Sequence, residues 1–157
     1  MAISLGGRYL AVAHNDQFVR IYNSNSFTKA GEYFVGFPIN VLRFSNEGYY
    51  LAIAGGSSSV IIINAYEPFA YNITVSPNVG SFVVGMDFGN ASALKFLACG
   101  GNSNSSGKIN LMNIVYTNPW TNAIIAPLNT NPNSTNPNDC RISPFDGRII
   151  VSTDLKL

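Results

Sequence analysis

Charge is what this sequence has least of. Nine Lys and Arg face eight Asp and Glu, so 11% of the residues are charged, with a net charge of +1; a typical domain has about 25%. Neither sign clusters, and no basic stripe of the kind that tracks nucleic acid or an anionic membrane surface is visible. Histidine occurs once, at His14, which rules out a two-imidazole metal site within one chain and obliges any Ser-His-Asp triad to use that residue. Cys99 and Cys140 are the only cysteines. They lack CxxC or CxxH spacing, are too few for a disulfide framework, and are expected to be buried or half-buried free thiols. Apolar runs such as Tyr9–Ala13 and Val60–Ile63 fall far short of the roughly 20 residues of a membrane helix. Residues 1–10 hold one basic residue, Arg8, and no apolar stretch of signal-peptide length. Neither membrane insertion nor an export signal is expected, and the location stays open between a virion or extracellular assembly and the cytoplasm.

Apolar and neutral polar residues fill the space that charge leaves. Hydrophobic residues make up 46% of the 157, and a single domain of this length buries about 70% of the surface its unfolded chain exposes. Polarity comes mainly from serine and twenty asparagines, which bond their own backbone and favour turns.

The apolar segments repeat. Gly7-Arg8-Tyr9-Leu10-Ala11-Val12-Ala13 aligns with Gly48-Tyr49-Tyr50-Leu51-Ala52-Ile53-Ala54, and Val19-Arg20-Ile21-Tyr22-Asn23 aligns with Val60-Ile61-Ile62-Ile63-Asn64, at one offset of 41. A third copy reads Lys95-Phe96-Leu97-Ala98-Cys99-Gly100, with Phe96 set against Tyr50, followed by Ile109-Asn110-Leu111-Met112-Asn113. A fourth begins at Arg141-Ile142-Ser143, which matches Arg43-Phe44-Ser45, with Gly147 matching Gly48. A period of about 40 to 50 residues marks an array of one supersecondary unit.

Each unit holds about four strand-like runs separated by turn residues, and no segment sustains a 3.6-residue apolar period. The expected class is all-β. Runs such as Tyr9–Ala13 are apolar at every position, the mark of a strand covered on both faces. Four-stranded antiparallel sheets covered on both sides and repeated in this way imply sheets arranged radially around an axis, a β-propeller arc of three blades and part of a fourth. The approximate blades are 1–35, 36–78, 79–127 and an incomplete 128–157.

A serine-containing strand, a Gly-aromatic-Leu-Ala strand and a third strand ending in Asn together resemble the blades of WD-repeat propellers over nearly the whole chain. Tyr22-Asn23, Ile63-Asn64 and Met112-Asn113 stand where that family often has Trp-Asp, and its Gly-His pair is absent. The departures imply blades held mainly by apolar packing. The stretch from Tyr9 to Lys29 also resembles degenerate propeller repeats of some phage and prophage structural genes, which implies a virion or appendage component.

No catalytic signature stands out. Cys99 to Asn110 looks superficially like a phosphate-binding loop, but Asn102 replaces the first glycine, Ile109 replaces the hydroxyl residue, and a strand follows where a helix is needed. Ser105 and Lys108 match S-x-x-K without the helix that motif requires. His14 is expected at a turn or blade edge. The eight carboxylates are scattered singly; Asp87, inside the apolar run Phe82–Phe88, should have a buried partner. Asn72, Asn90, Asn104 and Asn133 head N-x-S/T sequons, which matter only in an exported protein. The segment from Tyr116 to Asp139 is rich in Asn, Pro and Thr and reads as a long exposed excursion with a short strand, Asn122–Ala126, inside it. It makes Trp120, Asn129, Asn133 and Asn136 candidate interaction residues.

The reading is a non-enzymatic propeller with no cofactor, a structural or protein-interaction module of a virion or extracellular assembly. A cellular WD-repeat adaptor and a glycan-binding or hydrolytic propeller are the alternatives. A closed ring has about four to eight blades, so the three and a part seen here are expected to be completed by a longer propeller, by protein partners or by further copies.

Overall fold

Serine and glycine build the same turn after the innermost strands of the first two sheets. The computed structural model describes residues 1–65, 72–77, 79–89, 94–102, 105–114, 123–127, 137–143 and 148–153. In the first sheet Ser4 N donates to Tyr9 O (2.9 Å), Tyr9 N returns a bond to Ser4 Oγ (2.9 Å), and Gly7 N donates to Ser4 O (2.9 Å). In the second, Ser45, Tyr50 and Gly48 repeat the three bonds at 2.8, 3.1 and 2.8 Å. Gly7 and Gly48 have φ of +69° and +76°, a left-handed conformation that glycine adopts without steric cost. A third instance is visible where Ser143 N donates to Arg148 O (2.8 Å).

From these turns the chain runs as a series of antiparallel meanders. Sheet 1 contains β1 (Ala2–Ile3), β2 (Tyr9–Ala13), β3 (Phe18–Asn23) and β4 (Lys29–Phe34) in that order. Sheet 2 contains β5 (Ile39–Phe44), β6 (Tyr50–Gly55), β7 (Val60–Asn64) and β8 (Asn72–Val75). Sheet 3 contains β9 (Phe82–Phe88), β10 (Leu94–Asn102), β11 (Ser105–Ile114) and β12 (Ala123–Pro127), and sheet 4 pairs β13 (Pro137–Ile142) with β14 (Ile149–Thr153). Among the described residues the one helical element is the 3-10 turn Leu5–Gly7. Asn23 ends β3 by accepting from Asn25 N (3.0 Å) and Ser26 N (3.3 Å), the side-chain turn that makes asparagine a strand terminator.

Three apolar layers separate the four sheets. Ala11, Val19 and Ile21 of sheet 1 meet Leu42, Phe44, Leu51, Ile53, Ile61 and Ile63 of sheet 2. The other face of sheet 2, with Val41, Ala52, Ala54, Val60 and Ile62, meets Val83, Met86, Phe88, Phe96 and Ala98. Leu97, Cys99 and Ile109 then meet Cys140 and Ile142 of sheet 4. Successive residues of β6 and β10 thus serve opposite neighbours, and Leu51–Gly55 and Phe96–Gly100 are buried throughout. Each fully buried aliphatic or aromatic side chain contributes about 1.5–3 kcal/mol.

The layers correct two expectations. Phe96, not Leu97, faces the preceding sheet as Leu51 does, and their partners agree, with Leu51 opposite Phe44 and Phe96 opposite Phe88. The third copy is therefore displaced by one residue from the alignment that set Phe96 against Tyr50, and a one-residue slip exchanges the two faces of a strand. The run Tyr9–Ala13 is covered on one face alone: Ala11 is buried, whereas Tyr9, Leu10, Val12 and Ala13 are half-buried, because no sheet of the described chain lies over Leu10 and Val12.

Glycine allows closest approach at the seam between sheets 3 and 4. A Cβ on Gly85 would lie 2.7 Å from Cys140 N and 2.9 Å from Asp139 Cα, so β13 occupies the place of a side chain on β9.

Candidate functional site

Three places in the described chain offer more than core packing. The first is the outer face of sheet 1. Register places Ile3 beside Leu10, Leu10 beside Tyr22, and Val12 beside Arg20. Ile3 is 62% exposed and Phe34 58%. Toward the rim, Arg20 links Asp16 (2.7 Å) and Glu32 (3.3 Å), and Lys29 joins the same Glu32 carboxylate (3.2 Å). The Arg20 guanidinium lies 5.3 Å from the Phe18 ring centroid, and Phe18 packs 5.1 Å from Phe34. The face is apolar near the inner strand and carries a neutralised ion-pair chain at its rim. The Asp16 carboxyl titrates below its ordinary 3.8 because the Arg20 hydrogen bond favours the charged form.

The second is a shallow cleft of about 330 Å³ between sheets 1 and 2, lined by Ile3, Ser4, Leu5, Gly6, Phe44, Ser45 and Asn46. Its walls are the two repeated serine turns and its lip is apolar, with Leu5 74% exposed.

The third is a line of polar groups along the inner strands, at the equivalent positions Arg43, Asp87 and Arg141. Asp87 Oδ2 accepts from Ile142 N (3.1 Å) and Oδ1 from Phe88 N (3.0 Å). In return Arg141 Nη1 donates to Met86 O (3.3 Å) and to Asp139 Oδ1 (2.9 Å). Asn46 Nδ2 makes a longer bond, 3.5 Å, to Phe88 O across the preceding seam. Burial raises the Asp87 carboxyl above 3.8, with the two backbone N–H groups and the Arg43 charge opposing the shift. These contacts supply the partner expected for Asp87 and make it a clasp between sheets.

The remaining sequence candidates disperse. His14 sits before the β2–β3 turn, with His14 N donating to Phe18 O (3.0 Å); its Nε2 is buried without a hydrogen-bond partner. Ser105 and Lys108 lie in strand β11, where a phosphate-binding helix would have to begin. Met112 and Asn113 pair through the backbone with Phe96 and Lys95, as Ile63 and Asn64 pair with Leu51 and Tyr50. Gly147, Trp120, Asn129, Asn133 and Asn136 lie outside the described residues. Cys99 and Cys140 are free and fully buried, and both fall in the layer between sheets 3 and 4. Their juxtaposition was not visible in the spacing, nor was the Arg20 ion-pair chain. The matched inner strands around Arg43 and Arg141 did carry a signal for the clasp, since Asp87 falls at the same point of the third copy.

Comparison with known proteins bears on the fold. No family model and no curated protein matches the chain. Among solved structures it is similar to the β-propeller domain of Cps50 (Swd1) from Myceliophteria thermophila, with a TM-score of 0.74 at 16% identity over 96% of this chain and 47% of that one. It is also similar to the WD40 domain of Pan2 from Neurospora crassa, with a TM-score of 0.64 at 16% identity over 97% of this chain and 45% of that one. For hydrazine synthase from Kuenenia stuttgartiensis the TM-score is 0.71 at 17% identity, over 98% of this chain and 41% of that one. The fold is that of a WD40-type β-propeller, and the chain spans less than half the length of these structures.

Proposed function

We propose that this propeller arc is a non-enzymatic structural and protein-interaction module, and that its outer blade faces are closed by further blades, from protein partners or from other copies. The observation that carries the reading is a comparison of equivalent positions. Leu51 and Ile53 in sheet 2, and Phe96 and Ala98 in sheet 3, are fully buried by the preceding sheet. Leu10 and Val12 hold the same places in sheet 1 and remain half-exposed. A sheet face built to the blade pattern, with exposed Ile3 and Phe34 beside it, is an association surface. Asp87 is occupied in holding the seam and Asp139 in pairing with Arg141 of its own strand, which favours a structural use of both carboxylates. The low charge of the chain suits a densely packed setting such as a virion or extracellular assembly.

Light scattering of the purified chain at micromolar concentration tests the reading. The expected mass exceeds the 16.9 kDa of one chain. A sharp monomer across the concentration range would overturn association through the open faces.

A further inference from the structure

We propose that Cys99 and Cys140 form a latent disulfide across the seam between sheets 3 and 4, a site of reversible oxidation that locks the β13–β14 hairpin onto the arc. The geometry comes from three independent placements. Cys99 of β10 is the direct cross-strand partner of Gly85 in β9, and directly opposed residues project to the same face of a sheet. Gly85 has no side chain there, and the main chain of Cys140 fills the vacancy, its N atom 2.7 Å from where that Cβ would be. Cys140 is thereby set beside Cys99, and both residues lie in one apolar layer with Leu97, Ile109 and Ile142. A disulfide requires Cα atoms about 4.4–6.8 Å apart, and the cross-link forms only where the seam brings the two cysteines within that reach.

The folded seam also protects the pair. Cys99 is 0% and Cys140 1% exposed, and the neighbouring Cys99 thiol together with burial pushes the Cys140 thiol far above its ordinary 9.0. Because the thiolate is the reactive form, oxidation waits on transient lifting of the hairpin. With a diazene oxidant such as diamide, one thiolate adds to the N=N bond and the second displaces the resulting hydrazide as the S–S bond forms. Each sulfur gives up one hydrogen, and the N=N bond, reduced to N–N, takes up both. A thiol reductant reverses the cross-link.

Once made, the bond closes a loop of about 40 residues, which restricts the unfolded chain and should raise the melting temperature by about 10 °C. The test uses the whole chain, treated with diamide in native buffer and in urea below the unfolding midpoint, then alkylated and weighed intact. Three results are expected: a loss of two hydrogens mapped to a Cys99–Cys140 linked peptide, formation at least about tenfold faster in urea, and the thermal shift, abolished by dithiothreitol. Cys99→Ala and Cys140→Ala controls should show no shift. Interchain dimers, two alkylated thiols after treatment in urea, or an oxidised chain no more stable than the reduced one would each overturn the proposal. The comparison of oxidised with reduced wild-type chain stands even if the variants fail to fold.

Discussion

Asp87 and Gly85, two residues apart on β9, hold the last seam by opposite means. Asp87 accepts two backbone N–H groups, so Asp87→Ala leaves Ile142 N without its acceptor, and the expected cost is about 1–3 kcal/mol in urea denaturation, less for Asp87→Asn. Its carboxyl is raised above 3.8 by burial, so the folded chain holds this proton more tightly than the unfolded one. Its contribution to stability is complete below pH 3.8 and is lost as pH rises through the folded value. Asp16, lowered by Arg20, has the reverse sign: its contribution is present above 3.8 and lost on acidification. Carboxyl titration by NMR should place the Asp87 midpoint above 3.8 and the Asp16 midpoint below it; an exchanged order would contradict both assignments. Gly85→Ala drives a Cβ into the backbone of β13, and overpacking of this kind costs about 1–3 kcal/mol. It should also speed alkylation of Cys140. The need for a partner at Asp87 was legible from a charge in an apolar strand. The need for glycine at position 85 was not, because it arises from a strand more than fifty residues away.

Equivalent side chains in successive sheets differ in what they hold up. Leu51 is fully buried between sheets 1 and 2, and Leu51→Ala should cost about 2–5 kcal/mol. Leu10 is half-buried at the same blade position, and Leu10→Ala in the isolated chain should cost less than half as much by the same denaturation measurement. Equal losses would mean that the outer face of sheet 1 is covered even in the monomer. The strands were legible because apolar runs such as Tyr50–Ala54, broken by turn residues such as Gly48, are local signals. The register of the third copy was not. Leu97-Ala98 matches Leu51-Ala52 letter for letter, yet strand position is decided by which neighbour each face meets. The layer between sheets 2 and 3 admits Phe96 and Ala98, beside Phe88 at 5.2 Å between ring centroids.

At the scale of the molecule the sheets form a directional series, each burying one face against the next, so the two outer faces are unlike. The face of sheet 1 shows Leu10, Val12 and Phe34 with the Arg20 ion-pair chain. The outer face of sheet 4 shows Ile150, 67% exposed, beside the Arg141–Asp139 pair at 2.7 Å. If copies of the chain associate as blades do within it, the contact joins unlike faces, head to tail, and such a contact closes a ring or grows. Leu10→Asp spoils the first face and Ile150→Asp the second, each at an exposed or half-exposed position that leaves the apolar layers intact. Each variant alone should therefore be monomeric by light scattering. An equal mixture should give dimers of one copy of each, since one sound face of each kind remains. A contact between two like faces gives a different result: one variant would still pair with itself, and the mixture would contain those homodimers beside monomers of the other variant.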